Sequence, residues 1–514
     1  MAEPLILVLD IGTTNIKAFL FNKNAEIVAQ VGRKQEYIMD QEPGQVEQDP
    51  HVVWKKCKEA ISEVLTKVGS NEVLAMGLTT YRASFLFWNI ETGETYSNIV
   101  TWQDNRSAEY AEKMTSKFGL KAIRTIGKIA YPLTKSTRML TASMIKFDPS
   151  YPSASTGYFL ETNPELKRLI KFPTTKIRWG TIESYILYQL TGGKIHATDY
   201  SCASATGLLD PFKLEWNPIT MKPFGIPEYI LPEVRETKGD YGKTNLFDVG
   251  EIPIKAVIAD QQASLFGQGC FNYGDMKVTN GTGSFVDLNT GDQPIASKRY
   301  LYPLVAWVID GKPTYLLEGM SHNTGNIIDW ISHELGFFED PVETEQMALS
   351  VSSTGGVYFV PTFTTGLSFP YWSSAKGSIF GLTLNTKKEH IIRAVLEGIC
   401  YRIKDIVDGI IEDTGVDVNR IKADGGVSQN KFILQFLADI LGMEVEHSAD
   451  FETTALGAAF IAGLNVGLWK SKEELLKIRH IDKVYTSQIT EEERKMKYEC
   501  WQDVISRSLN YRNI

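Results

Sequence analysis

No stretch of the chain reaches the about 18 consecutive apolar residues that a membrane-spanning helix needs, and Met1 runs straight into the apolar Leu5–Leu9 without a basic leader. The five cysteines, Cys57, Cys202, Cys270, Cys400 and Cys500, are scattered, odd in number and free of any Cys-x-x-Cys pair. That argues against a disulfide framework or a zinc site and for reduced thiols, so the expected location is cytoplasmic. Seven histidines form no His-Glu-x-x-His, and His322 and His447 read as satisfied polar residues rather than ligands. Positive charge is in deficit: 53 Lys and Arg stand against 62 Asp and Glu, a formal net charge of −9, and no basic cluster interleaves with aromatics. Nucleic acid needs a basic footprint and is a poor partner for this chain. Gly242-Lys243-Thr244 has Thr237 where a P-loop requires its first glycine, and no strand runs into Gly-x-Gly-x-x-Gly. A Walker A site and a dinucleotide fold are thereby set aside.

What is present is ordinary globular usage, 43% hydrophobic and 22% charged over 514 residues, enough for about two large domains or three of ordinary size. Leu5–Leu9, Ala18–Phe21 and Glu26–Gln30 read as strands, the last two joined at Asn22-Lys23-Asn24. Val52–Lys67 has helical spacing, with Val53, Cys57, Ala60, Ile61, Val64 and Leu65 on one stripe. Val73–Thr79 is strand-like and delivers Tyr81-Arg82 to its end, where ligand-facing side chains often sit. Asp148–Tyr158, with two prolines and small polar residues, reads as a loop. The boundary is expected near Ile252-Pro253, giving domains 1–253 and 254–514. After it the order repeats: strand Lys255–Ala259, helical Gln261–Gly267, a strand pair around Lys277–Asn289, then the helices Glu389–Glu412 and Lys431–Leu441 around the strand at Ile421–Asp424. Both halves are predicted to be α/β, a sheet with helices packed on it.

Two short segments about 270 residues apart share one pattern. Leu9-Asp10-Ile11-Gly12-Thr13-Thr14-Asn15-Ile16-Lys17 and Val278-Thr279-Asn280-Gly281-Thr282-Gly283-Ser284-Phe285 each place glycine beside hydroxyl residues at a strand-like run. Such a turn can aim successive backbone N–H groups at an anion such as phosphate. Alone, such a turn is more readily the tip of a β-hairpin; one in each half suggests the two jaws of a nucleotide cleft. Asp260, between the apolar Ala256-Val257-Ile258 and a helical run, is either an N-cap or the one carboxylate that phosphoryl transfer to an alcohol needs beside the acceptor hydroxyl.

These residues resemble the FGGY carbohydrate kinases, and among them the glycerol kinases, from about Leu5 to Trp501. The resemblance is carried by Asp10–Thr14, Trp102-Gln103-Asp104-Asn105-Arg106, Thr198-Asp199-Tyr200, Asp260-Gln261-Gln262, Gly281-Thr282-Gly283, Ala423-Asp424-Gly425-Gly426 and Gly377–Leu382 followed by His390 and Ala394–Glu397. The pattern is most similar to the divergent animal branch called glycerol kinase 5. The resemblance implies two actin-like, ribonuclease-H-like domains closing on ATP, Mg²⁺ and a small polyol, with a homodimer admissible. It assigns Asp10 to Mg²⁺, Thr13, Thr14 and Lys17 to the terminal phosphates, and Gly281 and Thr282 to the γ-phosphate. Gly425, Gly426 and Asn430 would line the adenosine pocket. Asp260 would be the general base, with Arg82, Trp102, Gln261 and Phe285 around the acceptor. Two departures stand out. Tyr81-Arg82-Ala83 replaces the usual Gln-Arg-Glu, removing a carboxylate from the polyol side. The family's substrate-tyrosine segment survives only as Tyr131-Pro132-Leu133-Thr134-Lys135, which leaves that tyrosine unplaced.

Overall fold

The computed structural model describes residues 3–39, 42–68, 72–363, 370–371 and 375–509. Two mixed sheets carry the fold. The first consists of β1 (Pro4–Ile11), β2 (Asn15–Phe21), β3 (Ile27–Lys34), β4 (Glu72–Thr80), the short β5 (Lys243–Thr244) and β6 (Ile252–Ala259), in the order β5-β6-β4-β1-β2-β3. β1, β2 and β3 form the antiparallel meander expected from the sequence, while β4 runs parallel to β1 and β6 parallel to β4. The second consists of β7 (Met276–Asn280), β8 (Ser284–Gly291), β9 (Tyr302–Ile309), β10 (Lys312–Ser321), β11 (Arg420–Asp424), β12 (Glu444–Ser448) and β13 (Ile481–Tyr485), in the order β9-β10-β8-β7-β11-β12-β13. Here again antiparallel strands lie on one side of the first strand, β7, and parallel ones, β11 and β12, on the other. The duplicated architecture puts the β1–β2 and β7–β8 turns at equivalent places in the two halves.

The helices follow from their apolar stripes. Asp49 caps α1 (Pro50–Thr66), whose Val53, Cys57, Ile61 and Val64 share one core with Leu5, Leu7 and Leu9 of β1. Farther along come α2 (Phe118–Thr134), α3 (Thr137–Met144) and α4 (Pro152–Thr162). This last helix occupies much of the segment expected to be a loop. Pro152 sits at its first turn, where a missing N–H costs nothing, and its small residues are buried rather than solvated; a Cβ on Gly157 would lie 2.5 Å from the Phe224 ring. In the second half, α6 (Lys388–Thr414) and α7 (Lys431–Leu441) cover the second sheet.

Between them, α5 (Asp260–Gly267) and α8 (Thr453–Val466) bind the halves together. The alternate face of β1 and β2, with Ile6, Val8 and Phe19, shares one core with Phe266 of α5, Phe460 of α8, and Trp307 and Leu316 of the second sheet. The first sheet therefore extends through the boundary expected at 253/254: Ile254 and Ala256–Ala259 pair with β4. Sequence read that strand as the opening of a repeat because its long-range partner, near residue 78, leaves no local mark.

The two helices touch backbone to backbone. A Cβ on Gly457 would lie 1.9 Å from the Ala263 carbonyl oxygen, and one on Gly267 2.1 Å from that of Thr453. Gly457→Ala should force them apart and destabilise the protein by about 1–3 kcal/mol. Urea denaturation reads this as a lower midpoint at unchanged slope; an unchanged midpoint would contradict the close approach.

Candidate active site

Both glycine turns are hairpin tips and cavity walls at once. Gly12 N–H donates to the Asn15 carbonyl across the β1–β2 turn, and Gly281 N–H to that of Gly283 across the β7–β8 turn, each at 2.9 Å. Gly12, Thr13, Thr14, Gly281, Thr282 and Gly283 line a single cavity of about 320 Å³ between the sheets. The two readings left open by the sequence therefore coexist. A hairpin at the end of an inner strand is what carries its free N–H groups into the cleft.

Asp10, Lys17, Arg82, Trp102, Asp260, Gln261 and Phe285 line the same cavity. Asp260 is the first residue of α5; Ala259, not Asp260, is the N-cap residue, and the Asp260 carboxylate accepts the adjacent Gln261 N–H at 2.8 Å. Burial raises its pKa, and the Arg82 guanidinium, 3.8 Å away, pulls it back. Arg82 reaches the cleft because β4 ends at Thr80. Its guanidinium also pairs with Glu318 of β10 and donates to the Gln262 amide oxygen at 3.3 Å. Gln261 is oriented by a buried cation: Lys277 Nζ donates to its Oε1 at 2.6 Å while pairing with Asp287 at 2.8 Å. This assigns the Gln261 amide NH₂ as the end left to donate.

On the phosphate side, burial and the nearby Glu452 carboxylate push Asp10 up to about 8, against the opposing pull of Lys17. Lys17 itself is ion-paired with Glu452, at the start of α8. Two carboxyl groups thus share one ammonium, an oxygen-rich and cation-poor arrangement that suits a hard divalent ion.

Gly425, Gly426 and Asn430 lie beyond the lining of this cavity. A Cβ on Gly425, where φ is +88°, would come 2.4 Å from the Asn280 carbonyl, whereas one on Gly426 would meet nothing within 4 Å. Asn430 caps α7, accepting from the Phe432 and Ile433 N–H groups, and donates to Thr344. Its side chain is committed to the helix terminus. Tyr131 lies on α2 and is absent from the cavity lining; the tyrosines that do line it are Tyr81, Tyr151 and Tyr302.

The chain matches the N-terminal domain of the FGGY family of carbohydrate kinases over residues 5–267 and the C-terminal domain over residues 276–466. The chain belongs to the FGGY family of carbohydrate kinases. This FGGY kinase is 39% identical to the glycerol kinase of Aquifex aeolicus over 98% of its own length and 99% of that protein's. It is 36% identical to glycerol kinase 5 of Danio rerio over 99% and 98%. Among solved structures it superposes on Plasmodium falciparum glycerol kinase with ADP at a TM-score of 0.88, with 30% identity and 99% of each chain covered. The xylulose kinase of Lactobacillus acidophilus shares the fold at 22% identity and a TM-score of 0.81 over 98% of this chain and 97% of that one. The fold is accordingly the two-domain, actin-like one of ATP-dependent carbohydrate kinases.

Sequence reasoning missed Glu318, Glu452 and Lys277 in this FGGY kinase. Ala83 brings no carboxylate to the cavity, while Glu318 lines it from the opposite sheet and pairs with Arg82. Burial and the Asp287 carboxylate, directly opposite in the strand register, push Glu318 up to about 8, while Arg82 pulls it down.

If Asp260 is the base, the acid limb of kcat/KM lies above the ordinary aspartate range, because burial dominates its shift. Arg82→Gln removes the cation that favours the ionised form, so the limb should move to higher pH. A pH–rate profile in which it stays put or moves down would disqualify Asp260 as the titrating group.

Proposed function

We propose that this FGGY kinase transfers the γ-phosphoryl group of ATP to a terminal hydroxyl of glycerol, giving sn-glycerol 3-phosphate and ADP. The observation that carries the reading is Arg82 held between Asp260 and Glu318, beside two glycine turns in one cavity. A guanidinium flanked by carboxyl groups offers both donors and acceptors to adjacent hydroxyls, which is what a small polyol demands. Phe285 and Trp102 in the lining give the carbon chain an apolar wall. The glycerol kinases cited above support the same acceptor.

In this reading the Gly12–Asn15 and Gly281–Gly283 turns take the phosphates from either side, with Thr13, Thr14 and Thr282 adding hydroxyl donors. Lys17 exchanges Glu452 for a phosphate oxygen. Gly425 and Gly426 border the adenosine; at Gly426 there is open space, and at Gly425 a side chain would collide with Asn280. Asp10, with Glu452 nearby, would hold Mg²⁺, which when bound neutralises charge on the phosphates. Arg82, the Gln261 NH₂ and Glu318 orient the polyol. The Asp260 carboxylate takes the hydroxyl proton as the acceptor oxygen bonds to the γ-phosphorus and the bond to the β–γ bridging oxygen breaks, releasing ADP. The polyol is met from both halves, by Arg82 and Trp102 of the first and by Phe285 and Glu318 of the second, and the adenosine side belongs to the second.

A coupled ADP-release assay with glycerol, xylulose and gluconate tests the proposal: glycerol should give the highest kcat/KM, and preference for either of the others would reject it. Asp260→Asn should lower kcat by about 10²–10⁴-fold while ATP still binds; near-normal turnover would remove Asp260 from the mechanism. Glu318→Gln should raise the KM for glycerol about tenfold and leave the KM for ATP unchanged. Equal effects on both would reduce Glu318 to a structural part.

A further inference from the structure

The acidic chain carries one strongly basic segment. Between Lys113 and Lys146 there are eight Lys or Arg residues and no Asp or Glu. Most of the segment is the helical hairpin α2–α3, and its two faces are chemically distinct. Leu120 and Gly127 are buried, and Gly127 rests against α3, where a Cβ would lie 2.5 Å from the Ser143 N. On the solvent side Ile126, Ile129 and Leu133, at i, i+3 and i+7 spacing, are 62%, 64% and 83% exposed. Three large aliphatic side chains in one helical row, uncovered to this degree, are not the scattered exposure usual on a soluble surface. Lys121 and Lys128 are exposed on the neighbouring flank of the same helix. The ion pairs of the segment are made at its ends, by Lys113 with Glu161 and Arg138 with Asp210. Among the described residues no carboxylate pairs with Lys117, Lys121, Arg124 or Lys128.

We propose that α2 is a docking surface for an anionic lipid bilayer, lying in the interface with Ile126, Ile129 and Leu133 inserted among the acyl chains and Lys121 and Lys128 at the headgroups. An aliphatic row flanked by lysines on one amphipathic helix is the composition of interfacial helices. Charge decides between the possible occupants. A second copy meeting this face about a two-fold axis would set the same cations against each other. The row is aliphatic rather than aromatic and offers single-stranded nucleic acid no stacking platform. An anionic bilayer satisfies both features together. No described helix is long and apolar enough to cross a membrane, so the contact is peripheral. It would fall beside the acceptor side of the cleft, since Thr141 and Met144 of α3 line a second cavity of about 390 Å³ that shares Tyr151, Tyr302 and Leu304 with the first.

Co-sedimentation of the full chain with phosphatidylcholine vesicles, with and without about one-third phosphatidylserine, tests this. Binding to the anionic vesicles that falls as salt rises, with little binding to neutral ones, is the expected result. Lys121→Gln with Lys128→Gln should weaken it about 25-fold, at about fivefold per cation. Ile129→Ser with Leu133→Ser should weaken it about tenfold or more, and neither pair should change turnover of soluble substrate. No binding to anionic vesicles at low salt would overturn the proposal, as would binding that both double variants retain. A concentration-dependent dimer broken by Ile129→Ser with Leu133→Ser, without vesicle binding by the parent, would assign the face to a second copy instead.

Discussion

The cleft depends on one buried cation shared between two sheets. Arg82 leaves the end of β4 in the first half and pairs with Glu318 of β10 in the second, with Asp260 on its other side. A buried ion pair of this kind contributes little net stability, since desolvation offsets most of the attraction, yet removing one partner leaves an uncompensated charge at a cost of about 3–5 kcal/mol. Such a pair is better understood as a device for position. It fixes where the two sheets meet and puts carboxyl groups on both sides of the space where an acceptor would lie. Lys277 and Asp287, both fully buried, repeat the logic one layer out and orient Gln261.

The phosphate side is arranged the opposite way. There the protein leaves negative charge under-compensated: Asp10 and Glu452 share Lys17, and the Asp10 carboxyl is raised to about 8. Conflicts of this sort are tolerated where a ligand resolves them. The proposed MgATP supplies both the missing cation and, through its phosphates, an alternative partner for Lys17. The two ends of the cleft thus divide the labour, one prearranged around a cation and one awaiting it.

What the sequence revealed and what it hid follow from range. The β1–β2 and β7–β8 turns, Asp260 and Arg82 were legible because glycine, hydroxyl and strand-end signals are local. Glu318 was not, because it stands 236 residues from Arg82, and neither was Glu452, 435 residues from Lys17; nothing near either marks the contact. Ala83 supplies no carboxylate, and the one that pairs with Arg82 arrives from another sheet. The segment read as a loop at Asp148–Tyr158 failed differently. Its small polar residues suit a turn, but in α4 they are what allow close packing against Phe224. Asn430, expected at the nucleotide, caps α7, a common local use of an asparagine at that position.

The two glycine turns, one from each sheet, are proposed to hold a single nucleotide. Hydrogen–deuterium exchange of the purified protein, with and without a non-hydrolysable ATP analogue, Mg²⁺ and glycerol, addresses it directly. Exchange should slow in both Gly12–Asn15 and Gly281–Gly283 on addition of that one nucleotide. Protection confined to one turn, with the other unchanged at saturating ligand, would contradict it.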